Sequence, residues 1–113
     1  MSDNHHGLLL DSKKLHDRLH DLGLKWSDAD AAFKALEDTA KTVLAEAFLE
    51  ADGTVAVRDA RARVSQKYRD HLTALGDARK AMNAAKISYD VARVFVDLER
   101  TNASGQRALV SMT

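Results

Sequence analysis

Apolar residues in the C-terminal half of the chain recur in alternating steps of three and four from residue 75 to residue 96. The members of this core stripe are Leu75, Ala78, Met82, Ala85, Tyr89, Ala92 and Val96. Such spacing places side chains along one face of an α-helix. The chain contains no proline, the residue that most strongly interrupts helices. We therefore predict one very long C-terminal helix over residues 65–103.

Two earlier helices and a short connecting segment are also predicted. Leu15, Leu19 and Leu22 indicate a short helix over 11–22 that ends at Gly23, and Ser27 is a suitable N-cap for a second helix over 27–51. The apolar face of that second helix consists of Phe33, Leu36, Ala40, Val43, Leu44, Ala47 and Phe48. Residues 1–10 are expected to be flexible, residues 54–64 to form a short helical segment, and residues 104–113 to form a frayed tail.

Composition supports a single all-α domain of 113 residues. The five glycines and the lack of proline leave few residues for the tight turns of a β-fold. There are no cysteines, which excludes disulfides and thiolate metal sites, and no apolar run approaches the length of a membrane span. The predicted fold is an elongated helical hairpin or bundle with a coiled-coil-like long helix.

A second apolar row runs beside the core stripe in the long helix and consists of Ile87, Val91, Val94 and Leu98. One partner helix cannot cover both rows, and a second copy of the chain is the simplest cover for the other. We therefore predict a homo-oligomer. The expected interface comprises Met82, Ile87, Tyr89, Val91, Val94, Val96 and Leu98.

Basic residues form two groups in the second half of the chain. One is a basic row with seven-residue spacing, namely Arg79, Lys86, Arg93, Arg100 and Arg107, and the other is a basic cluster of Arg58, Arg61, Arg63, Lys67 and Arg69 around Tyr68. Regular cations beside an aromatic ring are typical of single-stranded nucleic-acid binding. The alternative is that the row pairs with acids of neighbouring helices and that Tyr68 belongs to the core.

The charge distribution is compatible with both interpretations. The net charge is zero, but residues 1–52 hold 6 basic and 11 acidic residues, while residues 53–113 hold 11 basic and 6 acidic residues. This asymmetry suits either pairing within the fold or between subunits, or an anionic partner.

Motifs for catalysis are missing from the sequence. It has no phosphate-binding glycine loop, no nucleophile elbow and no HExxH motif. His16 and His20 have the spacing of two metal ligands on a helix, but the sequence indicates no third ligand, and solvent-facing histidines are the commoner explanation. Trp26 is expected to pack on the second helix. The sequence predicts a protein without enzymatic activity, cofactor, metal or small-molecule substrate.

The segment GTVAVRDARARVSQKYRDHL, followed by a long helix that ends in VDLERTNASGQRA, resembles small helical bacteriophage proteins encoded beside recombination genes. The matching residues are Thr54, Val55, Arg58, Ala60, Ser65, Tyr68, Arg69, Arg100 and Thr101. The general plan is also similar to that of phage recombination mediators, which are oligomers that bind single-stranded DNA and help to load a recombinase. The resemblance covers about half of the chain and implies a location in the cytoplasm of a bacterial host.

Two functional hypotheses follow. The first is an oligomeric accessory protein that presents its basic residues to single-stranded DNA, or to a recombination or replication protein. The second is an interaction or inhibitor module that docks on another protein through its long helix and does not bind nucleic acid.

Overall fold

The computed structural model describes the backbone of residues 3–112 and the side chains of residues 12–111. Three α-helices follow one another: α1 (Asp3–Glu50), α2 (Val55–Arg63) and α3 (Gln66–Met112). No strand occurs in the part of the chain described. The predicted all-α fold class with one very long C-terminal helix is confirmed.

The chain divides into two compact units, whereas the sequence predicts one domain. The central unit, Ser27–Asn83, contains the end of α1, all of α2 and the beginning of α3. The terminal unit consists of Met1–Trp26 and Ala84–Thr113, and therefore contains the first part of α1 and the last part of α3.

A tight connection in the central unit turns the chain from α1 into α2. Gly53 has a φ of 121°, a conformation that residues with a Cβ rarely adopt, and its backbone allows the chain to leave α1. Thr54 then caps α2, because its side-chain oxygen accepts a hydrogen bond from the Val57 backbone N–H at 3.3 Å. The predicted boundary at Thr54 thus agrees with the observed start of α2.

Helices α1 and α3 run antiparallel within the central unit. Lys67 pairs with Glu50, the His71 ring nitrogen Nε2 lies 2.8 Å from the Leu36 carbonyl oxygen, and Arg79 lies over Phe33. Partner numbers in α1 therefore fall as numbers in α3 rise. Ala47 and Ala62 are buried, and the predicted apolar face of residues 33–48 is buried or half-buried throughout.

Helix α1 continues through the segment where the sequence predicts a break between two helices. Gly23 costs a helix interior about 1 kcal/mol relative to Ala, but it is not an obligatory stop. Here it makes room for Tyr89 of α3, since a Cβ on Gly23 would lie 3.4 Å from the tyrosine ring. Trp26 packs on the same ring, with centroids 5.3 Å apart, so its expected contact with the second helix is replaced by one with α3.

Both ends of the long helices also extend beyond the predicted boundaries. Helix α1 begins at Asp3, within the segment predicted to be flexible, and α3 continues to Met112 through the predicted tail. Asn102, Ser104 and Gly105 are only weak helix breakers, so they do not end a helix that has already formed.

Candidate functional site

An exposed apolar patch on α3 is the most distinctive surface of the terminal unit. Its members are Ile87, Val91, Val94, Phe95 and Leu98, with exposed fractions of 50 to 63%. Single exposed apolar residues are ordinary, but five large ones within twelve positions of one helix form a contiguous surface. The sequence predicts four of the five members. Phe95 was missed because it lies beside the row rather than in it.

The patch lies opposite the buried face of the same helix. At 100° per residue, the row from Ile87 to Leu98 is centred about half a turn away from the core stripe. In that stripe Ala92 and Val96 are buried and Tyr89 is half-buried against α1. Helix α3 therefore has two apolar faces here, and the described residues cover only one of them.

Three residues of the predicted oligomer interface belong to the core stripe instead. Val96 is only 2% exposed within a single chain, and Met82 and Tyr89 are half-buried. Val96 in particular cannot contribute to a surface that a partner contacts. The sequence assigns these residues to the interface because α3 has apolar residues on two opposite faces over residues 87–98. Periodicity alone does not show which of the two faces is buried within the chain.

The basic row is exposed, and three of its members have no ion-pair partner among the described side chains. Lys86, Arg93 and Arg100 make no ion pair with any residue that the structure describes, although Asp90 and Asp97 are close in sequence. Arg107 donates a long hydrogen bond to the Ala103 carbonyl, at 3.4 Å. In the central unit, Arg79 lies over the Phe33 ring at 5.3 Å. The alternative in which the row pairs with acids of its own chain is not observed among the described residues.

Arg58 and Arg61 of α2 have structural partners in the last turn of α1 and in the turn that follows it. Arg58 donates from Nε to the Phe48 carbonyl at 3.3 Å and places its guanidinium 4.5 Å from the Phe48 ring centroid. Arg61 donates from Nη1 to the Asp52 carbonyl at 2.8 Å. The last carbonyls of a helix lack intrahelical donors. Arg58 is a second donor to the Phe48 carbonyl, which also accepts from the Ala51 N–H at 3.2 Å, and Arg61 binds the turn that follows α1.

Other members of the basic cluster are paired with acids. Lys67 bridges Glu50 at 2.8 Å and Glu46 at 3.1 Å, and Arg63 pairs with Asp59 at 3.1 Å. The hydrogen bonds from the Lys67 amine to Glu50 and Glu46 raise the pKa of Lys67.

The remaining two members of the cluster differ from each other. Tyr68 is half-buried, whereas the exposed Arg69 side chain makes no ion pair within the described residues. Four of the five cations of the cluster thus have in-chain partners. Sequence reasoning missed this role because it depends on how closely α2 approaches the end of α1.

The histidine pair lies at a shallow depression in the terminal unit. His16 and His20 line it together with Leu19, Gly23, Leu24 and Tyr89, and its volume is about 370 Å³. Within the described residues, no group of three His, Asp or Glu side chains is arranged to hold a metal ion. None of the helices in the described range is long and apolar enough to span a membrane.

Comparisons with known proteins found no relative for this geometry. No protein-family model matches the chain, and no curated protein or solved structure matches it either.

Proposed function

We propose that this chain is a non-enzymatic helical accessory protein, of the kind that phages encode, which works as an assembly module through the apolar patch on α3. The patch is the single observation that supports this function. Five large apolar side chains exposed opposite a buried face lose contact with water when a second helix covers them. Helix-in-groove docking of this kind is a common mode of protein recognition.

Sedimentation equilibrium of the full chain at about 5 to 500 µM tests the proposal, since interfaces of modest size dissociate in the micromolar range. We expect an average mass above that of the monomer, rising with concentration. Val94→Glu should return the protein to the monomer, because it places a charge in the centre of the patch. A monomer at every concentration would count against assembly through this patch.

Val55→Glu is the matched control for this experiment. Val55 is also an exposed valine, but it lies at the start of α2 and outside the patch. A carboxylate is tolerated in the first turn of a helix, so this variant should keep both its helical content and the wild-type mass. Loss of assembly in both variants would show that the effect is not specific to the patch.

The second candidate function is binding of single-stranded nucleic acid along the basic row. The observation that favours it is that Lys86, Arg93 and Arg100 are all exposed on α3 and make no ion pair within the described residues. Cations without acidic partners can neutralise phosphates and release counterions. The basic cluster contributes less to this proposal, because four of its five cations already have partners.

Fluorescence anisotropy of a labelled single-stranded oligonucleotide tests this second function at about 50 and 200 mM salt. We expect binding that weakens steeply with salt and is lost in the Arg93→Gln/Arg100→Gln variant. Lys34→Gln is the control, because Lys34 is paired with Asp30 in the central unit. Absence of binding at the lower salt concentration would refute nucleic-acid binding and leave the assembly proposal unaffected.

A further inference from the structure

The apolar patch has a spacing that reads the same in both directions along α3. From Ile87 to Leu98 the steps of the row are four, three and four residues. When two such helices pack antiparallel around a two-fold axis, Ile87 of one copy lies opposite Leu98 of the other, and Val91 lies opposite Val94. Each copy then presents the same row to the other, as a two-fold symmetric interface requires.

The charges beside the row distinguish antiparallel from parallel packing. At 100° of rotation per residue, Asp90 and Asp97 flank the apolar row on one side. Lys86 and Arg93 lie on that same side of the helix, further from the apolar row. Antiparallel helices bring like sides of the seam together. In the register given by the row, Asp90 lies two residues along the axis from Arg93 and two residues from Asp97 of the second copy. The four carboxylates of Asp90 and Asp97 and the four cations of Lys86 and Arg93 in the two copies then form one group without net charge.

Parallel packing lacks this complementarity. It would bring the charged side of one helix against the opposite side of the other, where Ser88, Phe95 and Asn102 lie. Asp90 would then be desolvated beside Phe95 of the second copy without a cation from that copy, which is unfavourable. The structure also leaves Lys86 and Arg93 without ion pairs in the described residues, so both are available to a second copy.

We propose that the apolar patch binds a second copy of this chain in an antiparallel, two-fold symmetric pair, in which Lys86 and Arg93 of each copy contact Asp97 and Asp90 of the other. This inference rests on the proposed assembly function and specifies its partner and geometry. Covering the patch on both copies buries on the order of 1,000 Å², near the lower limit for a specific interface. The pair is therefore a reversible dimer whose population depends on concentration.

Engineered cysteines in the full chain test the geometry, because the natural chain contains none. Ile87→Cys and Leu98→Cys are prepared separately, one with a tag that changes its mass, and are oxidised mildly alone and as a mixture. The antiparallel pair predicts a mixed disulfide between the two variants. It predicts no disulfide in Ile87→Cys alone. In the antiparallel pair the two copies of position 87 are offset by eleven residues, about 16 Å along the helix axis, which is too far for a disulfide.

The outcomes separate this inference from the function on which it rests. A disulfide in Ile87→Cys alone would indicate parallel packing and overturn the antiparallel pair. An oligomer by sedimentation without the mixed disulfide would overturn it too, and would place the contact in another register or on another surface. A monomer by sedimentation would reject the assembly function itself. Circular dichroism and sedimentation of each reduced variant establish that the substitutions preserve helix and assembly before oxidation.

Discussion

At the scale of single residues, the same amino acid has different roles at neighbouring positions. Arg58 joins α2 to the last turn of α1 through the Phe48 carbonyl and ring. Arg69 is exposed on α3, and its side chain makes no ion pair in the described part of the chain. In the sequence, Arg58 and Arg69 belong to the same basic cluster. Their local contacts give only Arg58 a structural role.

Arg58→Ala should lower the free energy of unfolding by about 1 to 2 kcal/mol, through loss of a charged hydrogen-bond donor and a cation–π contact. Arg69→Ala should change it by less than about 0.5 kcal/mol, as is usual for exposed positions without special contacts. Urea unfolding followed by circular dichroism at one protein concentration measures both. Equal effects would contradict the structural role of Arg58.

Two glycines make a second residue-scale comparison. Gly53→Ala should destabilise the fold, because a φ of 121° is unfavourable for alanine and the new Cβ would lie 2.9 Å from Val57 Cγ1. Gly76→Ala should stabilise α3 by about 0.5 to 1 kcal/mol, since its Cβ would enter open space in a helix interior. Thermal unfolding of the two variants should therefore shift in opposite directions, and a shared direction would contradict these assignments.

At the scale of the helices, Ser65 connects the end of α2 with the start of α3. Its hydroxyl donates to the Ala62 carbonyl at 2.6 Å and accepts from the Tyr68 backbone N–H at 3.3 Å. One side chain therefore caps the new helix and also satisfies a carbonyl of the preceding one.

Ser65→Ala should cost about 1 kcal/mol of stability, the usual loss for a helix cap. Ser88→Ala is the matched control, because Ser88 is an exposed serine in the interior of α3. Alanine has the higher helix propensity there, so the control should be neutral or slightly stabilising. Denaturant midpoints compare the two, and a Ser65→Ala midpoint at or above that of the control would contradict the cap.

The helices also show what a sequence pattern can predict. The stripes of α1 and α3 were predictable, because burial of one face enforces the three-and-four spacing that runs from Leu75 to Val96. The break at Gly23 was predicted wrongly. Local signals there favour a stop, and the ring of Tyr89, distant in sequence, packs where a side chain would otherwise lie. The arginine contacts at the end of α1 could not be predicted for the same reason.

At the scale of the whole molecule, the proposed dimer and the proposed nucleic-acid binding compete for the same cations. Lys86 and Arg93 contact acids in the antiparallel pair, whereas phosphate binding needs them free. Arg100 and Arg107 lie beyond the paired region of the row and remain available in both states. Two equilibria that share residues are linked, and each must weaken the other.

We therefore expect a single-stranded oligonucleotide to shift the wild-type chain from dimer towards monomer at about 50 mM salt, where phosphate contacts are strong. The Val94→Glu variant, which is monomeric under the assembly proposal, should bind the oligonucleotide at least as tightly as the wild type, because no dimer has to dissociate first. Sedimentation velocity with a labelled oligonucleotide measures both quantities in one experiment. Binding that increases the dimer fraction would show that the phosphates contact a surface made by both copies, and that Lys86 and Arg93 are not paired with Asp97 and Asp90. Reciprocity between the two equilibria therefore tests the assignment of Lys86 and Arg93 without any substitution in the basic row.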